Sequence, residues 1–413
     1  MFNYLFITIF LVNCPFFTWA EPSISLTALQ ERAQTQHPED KLFEHRLQAG
    51  QSMLSGEVYL PNPMLSYERM TSSAGAAMAE TTWEFRQKLP LPWKTYLARE
   101  IYQKEIDSIQ FELMQSQRVR KSQLTIEFFR WLSLHKKLLL KKEEEILLSQ
   151  LIAVQRTRYI SQKVTQVELV ALQIERGNML TEISMAEAEL ASQIAKVEGL
   201  VGPSSSNERL HRFTPNDEPL VMKKTIVLAE SELLDRLDKK NGELRAMRAM
   251  VEKSQVTTTR AKNEWAPDLE LMLTKTEDEM GGKKQGWQVG VELPLWLGGM
   301  QQAKISQAKA EALSAEVRYQ ERRRQMALQA EAMMAEQIQL HRQLELLENG
   351  LVQWSGQNVK SARIAYQTGK LDYASFLALI QSAYKTLVSY EELKVKVLEN
   401  QELIGLMLGG DKE

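Results

Sequence analysis

Residues 266–295 read APDLELMLTKTEDEMGGKKQGWQVGVELPL, and residues 62–91 read NPMLSYERMTSSAGAAMAETTWEFRQKLPL. Each stretch has proline in second place and ends in Leu-Pro-Leu. In the later stretch Leu269, Leu271 and Leu273 alternate with Glu270 and Thr274, and Trp287, Val289 and Val291 alternate with Gln288 and Glu292. In the earlier one Trp83, Phe85 and Leu89 alternate with Thr82, Glu84, Arg86 and Lys88. Period-two alternation of apolar and polar residues predicts half-buried strands. Met64 to Met70 is a weaker segment, with Leu65 and Tyr67 on one face and Arg69 interrupting it. The small, polar, glycine-bearing stretches Ser72 to Glu80 and Glu277 to Gly286 predict hairpin loops.

The likeness of the two stretches extends outward. Pro63 and Pro267 stand 204 residues apart, as do Pro90 and Pro294, Leu29 and Leu233, and Pro38 and Gly242. Further on, Tyr159 and Tyr366 stand 207 apart, as do the endings Leu200-Val201-Gly202 and Met407-Leu408-Gly409. Constant offsets with one three-residue slip identify a tandem repeat. The expected organisation is a signal segment at 1–20, a first repeat at 21–202, a linker at 203–220, a second repeat at 221–410 and a tail at 411–413. Each repeat is predicted to run helix, strand, strand, helix, helix, opening at Ser25 to about Gly56 and at Lys223 to about Glu264.

After each second strand lies a very long helical tract. Lys94 to Arg158 holds neither Gly nor Pro, and Gly299 to Ala365 holds only Gly350 and Gly356 after its start. A helix of roughly 60–65 residues reaches on the order of 90–100 Å and needs neighbours to cover its apolar stripe. Such a stripe runs through Ala308, Ala312, Ala315 and Tyr319 to Leu340, Leu344 and Leu347. The return helix carries Phe376, Ile380, Ala383, Leu387, Tyr390 and Val397 at coiled-coil spacings.

Composition narrows the function classes. The 413 residues hold 51 Lys plus Arg against 53 Asp plus Glu, a near balance that argues against nucleic-acid binding. Charged residues are 25%, too many for a bundle of membrane-spanning helices. Phe2 to Ala20 is almost wholly apolar and ends in Thr18-Trp19-Ala20 before Glu21-Pro22, which predicts a secretory signal cleaved after Ala20. An uncleaved anchor and lipidation at Cys14 are alternative fates of the same segment. Cys14 is the single cysteine, so disulfides and thiolate metal clusters are excluded.

In a secreted protein, strands with one apolar and one polar face suit an outer-membrane barrel with a wet interior. Trp83, Phe85, Leu269, Leu271, Val289 and Val291 would then face lipid. Four strands cannot close by themselves, so several chains would have to share the barrel. The competing arrangement is a small soluble sandwich whose apolar faces pack on each other.

The order of elements, Asn62 to Leu65 before the first strand, Leu293 to Gly299 after the fourth, Ala365-Tyr366-x-x-Gly369 and the closing Leu-Gly resemble the TolC family of outer-membrane efflux proteins. The phrasing around the second and fourth strands resembles most the branch serving heavy-metal exporters of the resistance-nodulation-division type. The resemblance implies a mainly α fold: long helical hairpins forming a coiled-coil tunnel, and four strands per chain given to a trimeric, twelve-stranded outer-membrane barrel. It implies a homotrimer in outer-membrane lipid, extending into the periplasm and working with a periplasmic adaptor and an inner-membrane pump. It also implies a gate where the helices turn. By position, Tyr366 and Glu168 match a gate tyrosine and a gate carboxylate, and Tyr159 matches an aromatic of the first repeat. The chain departs from the family pattern in three places. Gln162 replaces the usual Gly of the first turn. Leu371 stands where some members carry a gate arginine. Ser375 and Ala378 stand where some carry an acidic ring, which Asp372 would replace.

Other chemistry is thin. The five His residues show no metal-ligand spacing, and the 18 Met are dispersed as core fillers are. The charge runs Lys141 to Glu145 and Arg322 to Arg324 read as solvated helix faces. No nucleophile elbow or phosphate loop is present, so no catalytic, cofactor or metal residues are assigned. The expected function is a passive exit duct for small substrates. The alternative, of a different class, is a periplasmic coiled-coil adaptor or scaffold without a pore.

Overall fold

The computed structural model describes residues 23–57, 59–71, 79–162, 164–202, 210–219, 228–278, 280–292, 299–368 and 370–409. The signal segment with Cys14, residues 203–209 and 220 of the linker, and Leu293 to Gly298 of the second Leu-Pro-Leu motif lie outside these residues. The first repeat contains β1 (Ser23–Ile24), α1 (Leu26–Gln36), α2 (Pro38–Gly56), β2 (Met64–Met70), β3 (Glu80–Leu89), α3 (Pro92–Ile160) and α4 (Gln166–Val201). The linker contributes β4 (Thr214–Pro215), and the second repeat contains α5 (Glu230–Lys240), α6 (Gly242–Asn263), β5 (Asp268–Asp278), β6 (Lys283–Glu292), α7 (Met300–Leu346), α8 (Val352–Gln367) and α9 (Tyr373–Leu408). A π-helical turn at Leu347–Leu351 joins α7 to α8.

The predicted opening helix of each repeat is two helices, broken at positions 204 apart. His37 has φ −76° and ψ 128°, and Asn241 has φ −74° and ψ 120°. Different chemistry produces this same extended residue. Pro38 forbids helical geometry at the residue before it. The Asn241 side chain instead accepts from the Leu244 amide at 3.0 Å, capping α6, and donates to the Met407 carbonyl at 3.0 Å. The long helical runs begin at Pro92 and Met300 and end at Ile160 and Gln367. They keep the offset of the two tyrosines to within a residue, so the three-residue slip falls just before Met300.

The chain divides into two compact units, each drawing on both repeats. One comprises 1–37, 120–224 and 336–402. Here Ile24, Leu29 and Ala33 pack with Leu124, Phe128 and Trp131 of α3 and Val197 and Val201 of α4. A second cluster joins Leu148 and Leu151 of α3, Leu172, Met179 and Ile183 of α4, Ala362 and Tyr366 of α8, and Phe376, Ile380 and Tyr384 of α9. Buried amides fix the helix seams. Gln193 donates to the Glu127 carbonyl at 3.0 Å. Gln337 donates to the Val397 carbonyl at 3.1 Å and accepts from Asn400 at 2.9 Å. A buried amide that must be satisfied selects one register between helices that hydrophobic contact alone would let slide.

The other unit comprises 38–119, 225–335 and 403–413. Leu233 and Leu237 of α5, Leu244 of α6, and Met326, Ala330 and Met334 of α7 form its helical core. Gly242 is required there: a Cβ would lie 2.8 Å from Gln115 Cβ. Its sheet has the order β2-β3-β5-β6, all antiparallel. The inner pair β3–β5 joins the two repeats, and β2 and β6 are edges.

Candidate functional site

Register decides what the sheet presents. Trp83 pairs with Tyr67 and Lys275, Phe85 with Leu65 and Leu273, and Leu89 with Leu269. Leu269, Leu271 and Leu273 pair in turn with Val291, Val289 and Trp287. Residues directly opposite in antiparallel strands project to the same side. The six residues expected to face lipid therefore share one face with Leu65, Tyr67, Leu273 and Trp287. Among the described residues most of this face stays open: Leu65 is 66% exposed, Trp287 75% and Phe85 37%, with Leu271 half-buried. A soluble sandwich would have buried that face. From Trp83 to Leu89 the apolar band spans about 20 Å at ~3.3 Å per residue, close to the ~25 Å band of membrane barrels. The opposite face carries Thr82, Glu84, Arg86, Lys88, Glu270, Thr274 and Thr276 by the same register. There Arg86 Nε donates to Glu84 at 3.0 Å and lies 3.6 Å from Glu270.

The second candidate region is the pair of turns after α3 and after α8. Gln162 has φ +55°, the left-handed conformation for which the family pattern would place Gly. Its amide donates to the Tyr159 carbonyl at 2.9 Å. Each turn then ends in a cap at positions 207 apart. The Thr165 hydroxyl accepts from the Glu168 amide at 3.4 Å, and the Asp372 carboxylate accepts from the Ser375 amide at 2.9 Å and its hydroxyl at 2.6 Å. Those Ser375 bonds hold the Asp372 carboxyl below the usual range. Asp372 thus caps α9.

Tyr366 is 4% exposed, inside the α3–α4–α8–α9 cluster. Its ring stacks on Phe376 at 4.8 Å, and the Arg158 guanidinium lies over it at 4.9 Å. Its hydroxyl is buried with no hydrogen-bond partner among the described residues. Burial pushes its pKa up; Arg158 opposes that and the Glu168 charge adds to it. The Glu168 carboxylate accepts from the Thr165 hydroxyl at 3.3 Å. Tyr159, at the end of α3, is 40% exposed. Tyr366 thus packs against Phe376 and Arg158, Glu168 is bound to Thr165, and Tyr159 and Asp372 lie at the turns themselves. Arg158 carried no sequence signal, because its counterpart 207 residues on is Ala365.

The charge runs are cross-helix links as well as solvated faces. Lys141 pairs with Glu182, Lys142 with Glu187 at 2.8 Å, and Glu145 with Arg176 at 2.7 Å. Arg322 pairs with Glu243 at 2.6 Å and Arg323 with Asp238 at 2.8 Å. Glu144 is buried. Among the described residues no His, Cys, Asp and Glu cluster could hold a metal ion, and no helix is long and apolar enough to cross a membrane.

Residues 233–410 match the family described as outer membrane efflux protein. Comparison with curated proteins returns no match. Among solved structures, a membrane protein from Pseudomonas aeruginosa superposes with TM-score 0.80 at 14% identity, over 93% of this chain and 90% of that one. The outer membrane channel CmeC of Campylobacter jejuni gives 0.79 at 12% identity, over 93% and 85%. CusC, described in terms of folding and transmembrane channel formation, gives 0.78 at 14% identity, over 94% and 92%. The chain carries the outer membrane efflux protein family's sequence over residues 233–410 and, along nearly its whole length, the fold of solved outer-membrane channels.

Proposed function

We propose that three copies of this chain pool their sheets into a twelve-stranded barrel in the outer membrane, with the helices forming a tunnel in the periplasm. The duct is passive: small solutes, heavy-metal cations among them, are driven through by an inner-membrane pump of the resistance-nodulation-division type joined by a periplasmic adaptor. No bond chemistry is assigned to the chain. The observation that carries this reading is the four-stranded sheet whose apolar face is largely exposed and whose edges, β2 and β6, pair with no further strand among the described residues. In water such a face and such edges would be aggregation sites; in lipid, with sister copies at the edges, both are satisfied. Tyr366 and Glu168, with Tyr159 and Asp372 at the turns, are assigned to the region that opens and closes the tunnel.

The test is fractionation followed by planar-bilayer recording. A detergent-requiring trimer that conducts supports the duct. A monomer recovered in a soluble periplasmic extract, without conductance, would replace it with the adaptor or scaffold reading.

A further inference from the structure

Glu144 lies on the stripe of α3 that also carries Leu148, Leu151 and Gln155, four, seven and eleven residues on. Leu148 and Leu151 enter the apolar cluster with Met179 and Ile183 of α4 and Ile380 and Tyr384 of α9. Glu144 is 7% exposed; no ion pair to its carboxyl is found among the described residues, and its oxygens are not among the fully buried atoms without a partner. Its neighbours are spoken for: Lys141 is bound to Glu182, Lys142 to Glu187, and Glu145 to Arg176. The charged groups around it offer little relief. Lys141 of α3 favours ionisation, whereas Glu182 and Glu175 of α4 oppose it. Glu143 precedes it on α3, and α9 presents Tyr384, whose own ionisation both carboxylates oppose. From α8, which adds Ala362 to the cluster, Lys360 and Arg363 are exposed, and Arg363 donates to Gln150 at 3.3 Å.

We propose that Glu144 is a proton-operated latch: protonated, it lets the α3–α4 hairpin pack on α9, and ionised, it loosens that packing. A carboxylate on a side chain only 7% exposed, with no cation bound to it, is costly to ionise. Burial pushes this carboxyl up to about 7. A raised folded-state value gives packing that is strongest below the ordinary carboxylate range and weakens as pH rises through neutrality. The inference stands on packing within one protomer and does not require the channel reading.

The test is hydrogen exchange of residues 376–387 in the full-length protein at pH 5.5 and 8.5, corrected for intrinsic rates. Linkage between 4.5 when open and about 7 when packed gives the wild type a rise in opening of about thirtyfold across that interval. Glu144→Gln should lose most of that rise, and Glu143→Gln, at a carboxyl that burial also raises, should keep most of it. If Glu144→Gln fails to fold, Glu144→Met takes its place with the same expectation. A flat wild-type profile, or a Glu144 variant that rises as the wild type does, overturns the latch. Loss of bilayer conductance with the exchange pattern intact would count against the duct alone.

Discussion

Placing arginine on either side of β5 separates the lipid-facing sheet from every alternative. Leu271 lies mid-band on the apolar face, paired with Gln87 and Val289. Thr274, three residues on, projects to the other side, paired with Glu84 and Gly286. In a bilayer, Leu271→Arg puts a guanidinium at the hydrocarbon midplane, which costs about 2–4 kcal/mol per protomer. Thr274→Arg puts the same charge in a wet lumen, opposite the Glu84 carboxylate, where a cross-strand pair is worth about 0.2–1 kcal/mol in its favour. The weak Thr274 hydroxyl contact to the Gly286 carbonyl, at 3.4 Å, is lost in the exchange and offsets part of that gain. The two variants should therefore differ by at least about 2 kcal/mol, roughly thirtyfold in the folding equilibrium. Urea titration of protein folded into short-chain phosphatidylcholine vesicles, read by the electrophoretic shift of folded barrel, measures the difference. Equal losses, or a larger loss from Thr274→Arg, would refute the assignment of faces and with it the barrel.

At the first turn, Gln162→Gly should slow corrected exchange across residues 157–166 by about threefold. Relief of a left-handed residue, worth about 1–2 kcal/mol, exceeds glycine's entropic cost of about 0.5–1; faster exchange would show the turn is held by the Gln side chain. In planar bilayers, the combined change Tyr366→Phe and Glu168→Gln should raise single-channel conductance, and an unchanged conductance removes both from the gate. Tyr366→Phe alone should leave stability unchanged or improved in a thermal melt, because the lost hydroxyl has no partner among the described residues. Gln337→Leu should destabilise by about 1–3 kcal/mol in urea, since it removes both the donor to the buried Val397 carbonyl and the bond accepted from Asn400. Adding Asn400→Leu should recover part of that loss.

Much of this was legible because the chain says it twice. Met64 to Met70 is a poor strand signal by itself, yet its counterpart at Asp268–Asp278 alternates cleanly, and the register places Leu65 and Tyr67 beside Phe85 and Trp83. Breaks at His37 and Asn241 leave little trace in the sequence, because an interruption of one residue barely disturbs a helical pattern. Their signals were nonetheless present: Pro38, and Asn241 ahead of Gly242. Glu168 follows Thr165 by three residues, which is a capping-box spacing, so a local job was readable beside the gate assignment. Asp372, three before Ser375, had the same kind of signal. Reading Lys141 to Glu145 as a solvated face misses one residue, for a geometric reason. Five residues at about 100° each exceed a full turn, so one must point inward whatever its charge. That residue is Glu144.

The strand directions carry the assembly argument further than exposure does. Along β2-β3-β5-β6 every neighbour is antiparallel. A second copy's β2 set beside β6 therefore also runs antiparallel to it, and the alternation continues without a parallel pair. Any whole number of copies then yields an even strand count, as membrane barrels of single chains also have. One copy is excluded, because four strands cannot close around side chains of this size. The junction between copies would join the second repeat to the first, which is the same pairing of repeats that β3 and β5 already make inside the chain. The tandem repeat thus supplies, within one protomer, a worked instance of the contact its edges need from a neighbour. A heterologous contact that repeats its own geometry must either close into a ring or run on as a filament, and in a bilayer only the ring leaves no strand edge in lipid.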